Sequence, residues 1–594
     1  MSIESLPASN RHSWLEKWLP IIVLAVAGGS LPLWGDEFFG TVGTRICVYW
    51  MLCAGLNLVV GYAGQIAIGW VSLLTIGAYT ASALVAGRIT PEIHPYLALI
   101  VAAIFGAISG LIVGLPALRL RTFYFAMTTL GFSTIVTQIA LAWRSATGGG
   151  VGIPGPLLPE PFDTTWGLYF FCLAIAIVCT WITCNIASSR YGRSLIAVRD
   201  AEVAAEAVGI YKPGLLVNIF LLSGALAGIA GGLFASLQSY ITPEAFSFDL
   251  SVLFFIAILI GGRGSILGPL IGTAVLTVLP DFAAPLVQWS TFVYAVLLLA
   301  IVLIVPGGIA ELLDFKNRKP LDQHREIRPR PELLPEIMGT DPSKSLMTLK
   351  GIVLAFGGVR AVDGVDLEIR GGEVHGLIGP NGSGKTTTLN AISGYYPPQE
   401  GAVIVDGTDI TGLGAHKRAD FRIARTFQTP RIVGEESVLE NVMIGGTNDG
   451  QCTFVESMLA LPRHQRDEAR LRHDAMTALA LVGLERLADV RADRLQHSEL
   501  RFVEIARAVM LRPRFLLLDE PAAGLSVDEI RRLGVLISAI KAQGTGVLLV
   551  EHHADLIFEI CDRVTVLNLG KVLASGEPEE VRTHREVVNA YLGA

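Results

Sequence analysis

GPNGSGKTT, Gly379–Thr387, decides how this chain is read. It fills the pattern G-x-x-x-x-G-K-[ST] with Gly379, Gly384, Lys385 and Thr386. Glycines at those places let backbone N–H groups turn inward around phosphate oxygens. The lysine reaches the outer phosphates, and the threonine hydroxyl faces a magnesium ion. Asn381, Gly382, Ser383 and Thr387 complete the expected ATP-binding loop. The apolar run EVHGLIG ahead of it reads as a strand, and a helical pattern follows, which is the context this loop requires. Phe356 lies upstream at the end of MTLKGIVLAF, where its ring is a candidate for stacking on adenine or, equally, a core aromatic.

Further along, FLLLDEP (Phe515–Pro521) reads as a buried strand ending in two acids. Asp519 is suited to hold Mg²⁺, and Glu520 to polarise a water attacking the γ-phosphate. Gln428, in ARTFQTP, would touch that water and the metal through its amide, and His552, after GVLLVEH, would contact the γ-phosphate. The catalytic candidates are therefore Glu520, His552 and Gln428, and the metal candidates Thr386, Gln428 and Asp519.

The half of the chain before this engine has a different solvent preference. Of the 594 residues, 52% are hydrophobic and 17% charged, and charges are sparse from Leu19 to Ala310. Ten apolar segments follow one another: Trp18–Trp34, Val42–Val60, Ile66–Gly87, Pro95–Leu115, Phe123–Trp143, Trp166–Ile186, Gly214–Leu237, Leu250–Gly262, Ile266–Val278 and Trp289–Val305. Most reach the roughly 20 residues that cross hydrocarbon. The eighth and ninth are short and separated by GGRGS, so nine or ten crossings fit. With the C-terminus inside, twelve basic residues fall on inner loops and three on outer ones, as the positive-inside rule asks. Asn57, Gln65, Gln138 and Asn218 interrupt the apolar runs; they either border a solute path or bond between helices.

The net charge of −7 and the lack of a basic, aromatic-laced patch argue against nucleic acid. Seven cysteines without a C-x-x-C pair read as small buried hydrophobes. No cleavable leader is evident, so the first apolar run is expected to stay as an anchor. The fold expected is multi-domain: a polytopic α-helical membrane domain over 1–310, a charged, proline-rich linker over 311–346, and an α/β P-loop NTPase over 347–594. Prolines 320, 329, 331, 335 and 342 forbid a long helix in the linker, which reads as a flexible or extended tether. Between two membrane segments, SLIAVRDAEVAAEAVGI reads as an amphipathic helix with Arg199, Glu202 and Glu206 off its apolar face and Gly209 at its end.

These elements together resemble the ATP-binding domain of ABC transporters over essentially all of 347–594. Within that superfamily, FGGVRAVDGV, GLIGPNGSGKTTTLNAISG, ARTFQTPRI, VLENV and NAYLG are similar to the ATPase subunit of branched-chain amino acid importers. LNLVVGYAGQIAIG, LRLRTFYFAMTTLGF, TGGGVGIPG, SRYGRSLIAVRDAEVAAEAVGI and GGRGSILGPLIG resemble the permease subunit of the same importers over nearly all of 18–310. The resemblance implies ATP and Mg²⁺ as cofactors and a multi-pass place in the cytoplasmic membrane. It implies a second permease subunit, a second ATPase subunit and an extracytoplasmic binding protein as partners. It also implies that the helix between Ala187 and Pro213 docks on a motor domain. Leucine, isoleucine or valine would be the cargo; urea, short amides or aromatic acids are the alternatives. A homodimeric half-exporter is the competing architecture, and it calls for about six crossings with long helical extensions.

One motif departs from the family. The signature sequence, usually LSGGQ at a helix N-terminus, aligns with LQHSE, Leu495–Glu499. Gln496 stands for the serine, Ser498 for the second glycine and Glu499 for the glutamine, while His497 falls where the family varies. An acid beside a polyanion implies that the ATP served by this signature, in the partner's phosphate loop, is hydrolysed poorly.

Overall fold

The computed structural model describes residues 25–33, 35–120, 122–283, 289–305, 307–312, 328–338 and 345–592. These fall into two compact units: Met1–Ser188 with Pro213–Arg318, and Ser189–Lys212 with Lys319–Ala594. The second unit thus takes in a piece of chain that lies, in sequence, between membrane helices.

The first unit is helical. Its main elements are α1 (Glu37–Asn57), α2 (Val71–Val85), α3 (Pro95–Gly114), α4 (Thr122–Ala142), α5 (Thr165–Ala187), α7 (Lys212–Gln238), α8 (Phe248–Gly261), α9 (Gly268–Ala283) and α10 (Ser290–Ile304). Six spans among the described residues have the length and composition to cross a membrane; α2 and α9 are shorter apolar helices. Most of the first expected segment, Trp18–Trp34, lies outside the described residues. The GGRGS stretch separates α8 from α9 and is pinned by Asn57, whose Nδ2 donates to the Ser265 carbonyl at 2.9 Å and whose Oδ1 accepts from Gly264 N at 3.0 Å. Asn57 is therefore used between segments of the bundle. Gln65 is buried as well, whereas Gln138 on α4 is exposed. Glycine does its packing work where α3 meets α7: a Cβ on Gly106 would lie 2.3 Å from the Gly224 carbonyl, and one on Gly224 equally close to that of Gly106. No helix of this unit exceeds the 27 residues of α7, so the long extensions of a half-exporter are absent from the described residues.

The second unit is built on two sheets. Strands β1 (Leu346–Phe356), β2 (Val359–Arg370), β4 (Glu400–Val405) and β5 (Thr408–Asp409) form an antiparallel sheet in the order β2-β1-β4-β5. Strands β3 (Val374–Ile378), β6 (Ile423–Arg425), β7 (Phe515–Asp519), β8 (Gly546–Val550), β9 (Arg563–Asn568) and β10 (Lys571–Gly576) form the other, in the order β10-β9-β3-β8-β7-β6. All of its pairings are parallel except β9 with β10. Every residue of β3, β7 and β8 is buried, as continuous apolar strands in a parallel sheet require. The helices that matter below are α6 (Arg190–Ala207), α11 (Lys385–Ile392), α12 (Val438–Gly445), α13 (Pro462–Val482), α14 (His497–Val509) and α15 (Val527–Ala542).

The linker departs from the tether expected of it. Residues 313–327 and 339–344 lie outside the described residues, but 328–338 are folded onto the ATPase unit. Two short turns, Pro331–Leu333 and Leu334–Met338, bury Leu334 and Ile337 in the same core as α13, α14 and α15. The prolines stop a long helix as expected. The apolar pair spaced i, i+3 between them was the unread signal, because three residues of spacing puts both on one face of a single turn.

Candidate functional site

The phosphate loop links the end of β3 to α11, and its shape is set by backbone contacts that exclude side chains. Gly384 caps α11 at φ +101°, and a Cβ there would sit 2.4 Å from the Ala361 carbonyl. A Cβ on Gly379 would lie 2.1 Å from the carbonyl of Leu567. Lys385 is buried and donates from Nζ to the carbonyls of Gly379 (2.8 Å) and Pro380 (3.0 Å). Burial lowers its pKa, against the pull of Glu520 and Asp519. Asn381, Gly382 and Thr386 are exposed around it, Thr387 is half-buried, and Ser383 is buried with its Oγ unpartnered.

Strands β7 and β8 run side by side with Asp519 in register with Val550, which brings the Asp-Glu pair next to the histidine. Asp519 is 1% exposed; its Oδ2 accepts from Arg425 Nη2 at 3.2 Å, and its Oδ1 has no partner. Burial raises its pKa, and Arg425 opposes that. A buried carboxylate oxygen left open costs on the order of 1–3 kcal/mol, so the donor set fits a divalent cation arriving from the solvent side. Glu520 adopts φ +48° and is gripped from two sides. Gln428 Nε2 donates to its Oε2 at 2.9 Å, and His552 Nε2 lies 2.9 Å from its Oε1. Three candidates named from sequence are thus directly bonded together. Phe356 is exposed at the end of β1, its ring edge-on to Tyr396 at 5.2 Å between centroids.

Several residues escaped the sequence reading. Glu551 is 2% exposed; its carboxylate accepts from Ala522 N at 2.6 Å and His552 N at 3.0 Å, fixing the loops after both acidic strands. The only signal was an acid ending an apolar strand. The loop carrying Gln428 hangs on α14: Arg501 donates to the carbonyls of Phe427 and Gln428, and Glu504 accepts from the backbone N–H of Phe427 and Arg431. Arg507 completes the set with a bond to the Arg431 carbonyl at 2.5 Å. These ride on one helix face, Arg501–Glu504–Arg507, at a spacing of three.

At the start of α14, the signature is closed on itself. Gln496 is the N-cap, its side chain accepts from the N3 backbone, and Glu499 Oε2 accepts from Gln496 N at 2.9 Å. Glu499 is 6% exposed, and Ser498 is bonded to Glu529. The N–H groups that usually meet a phosphate are shared with the chain's own side chains.

Helix α6 is broken at Ala201 (φ −144°, ψ 56°), so it is two short helices and not the single amphipathic helix expected; it packs against α12 and the Ala415–Arg418 turn. Ala201 and Ala204 sit on Phe427, the residue before Gln428. Arg199 reaches Glu435 at 2.6 Å, and Gly209 at φ +91° lies close to Asn448 and Ala419. Glu202 pairs locally with Lys212, and burial raises the Glu206 pKa. The firmest hold comes from Arg190 and Arg193, two of the twelve basic residues assigned to inner loops. Arg190 donates to the carbonyls of Thr447 (3.1 Å), Gly450 (2.5 Å) and Cys452 (2.5 Å). Arg193 is buried between Glu468 (2.7 Å) and Glu440 (3.2 Å).

A phosphate loop, an Asp-Glu strand end, a glutamine loop and a helix from a permease segment docked beside that loop define an ABC transporter component that hydrolyses ATP. Residues 39–306 match the family described as the branched-chain amino acid transport system permease component. Residues 362–523 match the family described as ABC transporter, and 571–594 the family described as branched-chain amino acid ATP-binding cassette transporter. The chain is 38% identical over 252 residues to the high-affinity branched-chain amino acid transport ATP-binding protein BraF of Pseudomonas aeruginosa, covering 42% of this chain and 99% of that protein. It is 36% identical over 252 residues to LivG of Escherichia coli, with the same coverage. A crystal structure of a nucleotide-free ATP-binding cassette from an ABC transporter aligns at 32% identity and TM-score 0.38, over 42% of this chain and 100% of that one. The chain belongs to the branched-chain amino acid ABC transporter family, with permease and ATP-binding components in one polypeptide.

Proposed function

We propose that this chain is the fused permease–ATPase component of an importer that carries leucine, isoleucine or valine across the cytoplasmic membrane. The observation that carries the reading is the contact of α6 with Phe427: a helix flanked in sequence by membrane segments touches the residue beside Gln428. The cargo follows the names of the matched relatives. Delivery by an extracytoplasmic binding protein, and assembly with a second permease and a second ATPase subunit, complete the machine.

In this reading Lys385 leaves the loop carbonyls to bind the β- and γ-phosphates, and the N–H groups from Asn381 to Thr387 surround them. Phe356 stacks on adenine. Asp519, Thr386 and Gln428 would hold Mg²⁺, and the ion would supply neutralisation of the charge on the phosphate oxygens. Glu520 accepts the proton of the attacking water. Its φ of +48° and its bonds to Gln428 and His552 fix where that carboxylate points. Closure of two ATPase units pulls on the Gln428 loop, and Phe427 passes the displacement to α6.

The self-capped signature supports unequal sites. Glu499 sets a buried carboxylate at the helix end expected to meet the partner's γ-phosphate, and on this reading the site formed with this chain's phosphate loop is the active one. Uptake of labelled leucine into proteoliposomes, with and without Lys385→Ala, tests the function. Uptake that ignores Lys385→Ala sinks the motor assignment; leucine excluded while urea or an aromatic acid enters sinks the cargo. Equal ATPase losses from Glu520→Gln and from the corresponding change in the partner would refute the asymmetry.

A further inference from the structure

Helix α13 is held at both ends by pieces of chain that lead to membrane helices. Near its start, Glu468 accepts from Arg190 N at 2.9 Å and from Arg193 at 2.7 Å, both on α6. At its end, Arg330 N donates to the Leu481 carbonyl at 2.7 Å, and Arg330 Nη2 pairs with Glu485 at 2.9 Å. Gly483 caps α13 at φ +79°, and a Cβ there would strike the backbone of Arg328 at 2.6 Å. Leu334 (0% exposed) and Ile337 (2%) fill the core beneath, and the Pro331–Leu333 turn also contacts α15. From Glu468 to Leu481 is about 20 Å of continuous helix at 1.5 Å per residue. A rigid rod of that length transmits a displacement at one end to the other.

We propose that Arg330, Leu334 and Ile337 are positioning residues for coupling. They fix the end of α13 against α15 and thereby set Glu468 to receive Arg190 and Arg193. This rests on the importer reading for its purpose, but not for its test. Residues 328–338 of the linker then support the surface that receives α6, a support made possible by the fusion. A stand-alone relative such as BraF has no length to spare for it: 252 matched residues are 99% of that protein, and the cassette from Leu346 onward is about that long.

The test is hydrogen exchange on the full chain in nanodiscs, comparing the parent with a Leu334→Asp/Ile337→Asp variant and with Leu334→Met. The double variant releases the strap. The α6 amides, Arg190–Ala207, are then expected to exchange at least tenfold faster while β3, β7 and β8 keep their protection, and Leu334→Met restores the parent pattern. ATP binding, read separately, stays within twofold. Unchanged α6 protection with a freely exchanging strap overturns the proposal. Should the double variant fail to fold, Arg330→Ala breaks the exposed Glu485 pair without entering the core. It is expected to speed α6 exchange two- to fivefold, and no change there overturns the proposal equally. No cargo enters this measurement, so a failure of leucine uptake would count against the import reading and leave the strap result standing.

Discussion

Removing Arg193 is the sharpest way to separate ATP hydrolysis from transport. Its side chain is 5% exposed and faces Glu468 and Glu440, which are 19% and 28% exposed. Burial works to lower its pKa, and Glu468 and Glu440 more than offset that, so the guanidinium stays charged throughout. Truncating one member of a buried pair costs about 3–5 kcal/mol, because the other charge stays behind unpaired. Here the two carboxylates keep some contact with water, so about 2–4 kcal/mol is the reasonable range for Arg193→Ala. At about 1.4 kcal/mol per decade, that weakens docking of α6 by roughly 30- to 700-fold. None of these atoms touches Lys385, Asp519 or Glu520, so ATP binding and basal hydrolysis should stay within about twofold. Proteoliposomes of the assembled importer give both numbers: leucine uptake should fall more than tenfold while basal ATPase persists. Arg193→Lys should fall between, since one ammonium cannot reproduce the fork that holds Glu468 through Nη2 and Glu440 through Nη1. A cycle with Glu468→Gln should show a coupling energy of about 1 kcal/mol or more. Full uptake in Arg193→Ala, or additive effects in the cycle, would refute this account of coupling.

Other expectations follow from the same geometry. Glu520→Gln keeps ATP binding but lowers turnover by about 10²-fold or more, read as single-turnover hydrolysis at saturating nucleotide. Restoring the signature with Ser498→Gly and Glu499→Gln frees the N–H groups of α14, and total ATPase of the complex should rise; a fall would show that the self-cap serves the partner's site. Burial pushes Glu436 from 4.5 up to about 7, Glu440 adding to the rise and Arg193 and Arg199 opposing it. A raised acid favours the folded state when protonated, so stability is lost as pH climbs from about 4.5 to 7 and is flat above. The loss is about 2 kcal/mol at about 1.4 kcal/mol per unit once remaining solvent contact is allowed for, and Glu436→Gln should abolish that slope in thermal melts. Gln138 exposes an amide on α4, whereas the exposed residues of α3 are Leu97, Ile100, Ile104, Phe105, Ile108 and Ile112. Gln138→Cys in the assembled importer should react with a water-soluble thiol reagent and Ile104→Cys should not; the native cysteines are all buried and give a low background.

The phosphate loop, Asp519, Glu520, Gln428 and His552 were legible in sequence because each is a local pattern. A glycine whose added Cβ would lie 2.4 Å from a carbonyl admits no substitute, and an acid ending a buried strand has few reasons to be there. Of the nine or ten crossings expected, six helices among the described residues have the length to span a membrane, and these were legible because hydrocarbon imposes length and composition on one segment at a time; α2 and α9 are shorter. Arg190 and Arg193 were visible as charges but not as contacts, since Glu440 and Glu468 stand more than two hundred residues away. The choice of Glu202 and Glu206 in their place came from helical periodicity, which finds an apolar face but does not say which polar face meets protein. Glu504 and Arg501 were hidden for a similar reason, 73 to 77 residues from the glutamine-loop groups they hold.

The strap shows where composition misleads. Charge and proline density make 311–346 look unable to fold, and for an isolated chain that argument is sound, because nothing in it buries enough apolar surface to offset the entropy of ordering. Leu334 and Ile337 fold on a core supplied by α13, α14 and α15, and burying two such side chains is worth about 3–6 kcal/mol on area alone. The entropy lost in ordering residues 328–338 leaves a difference that this pair does not close by itself. The prolines at 329, 331 and 335 narrow that difference by restricting the unfolded segment in advance. The backbone bond from Arg330 to Leu481 and its pair with Glu485 add to the folded side. The residues that argued for disorder are thus among the reasons this segment can afford to dock, and the docking site is the helix that also receives α6.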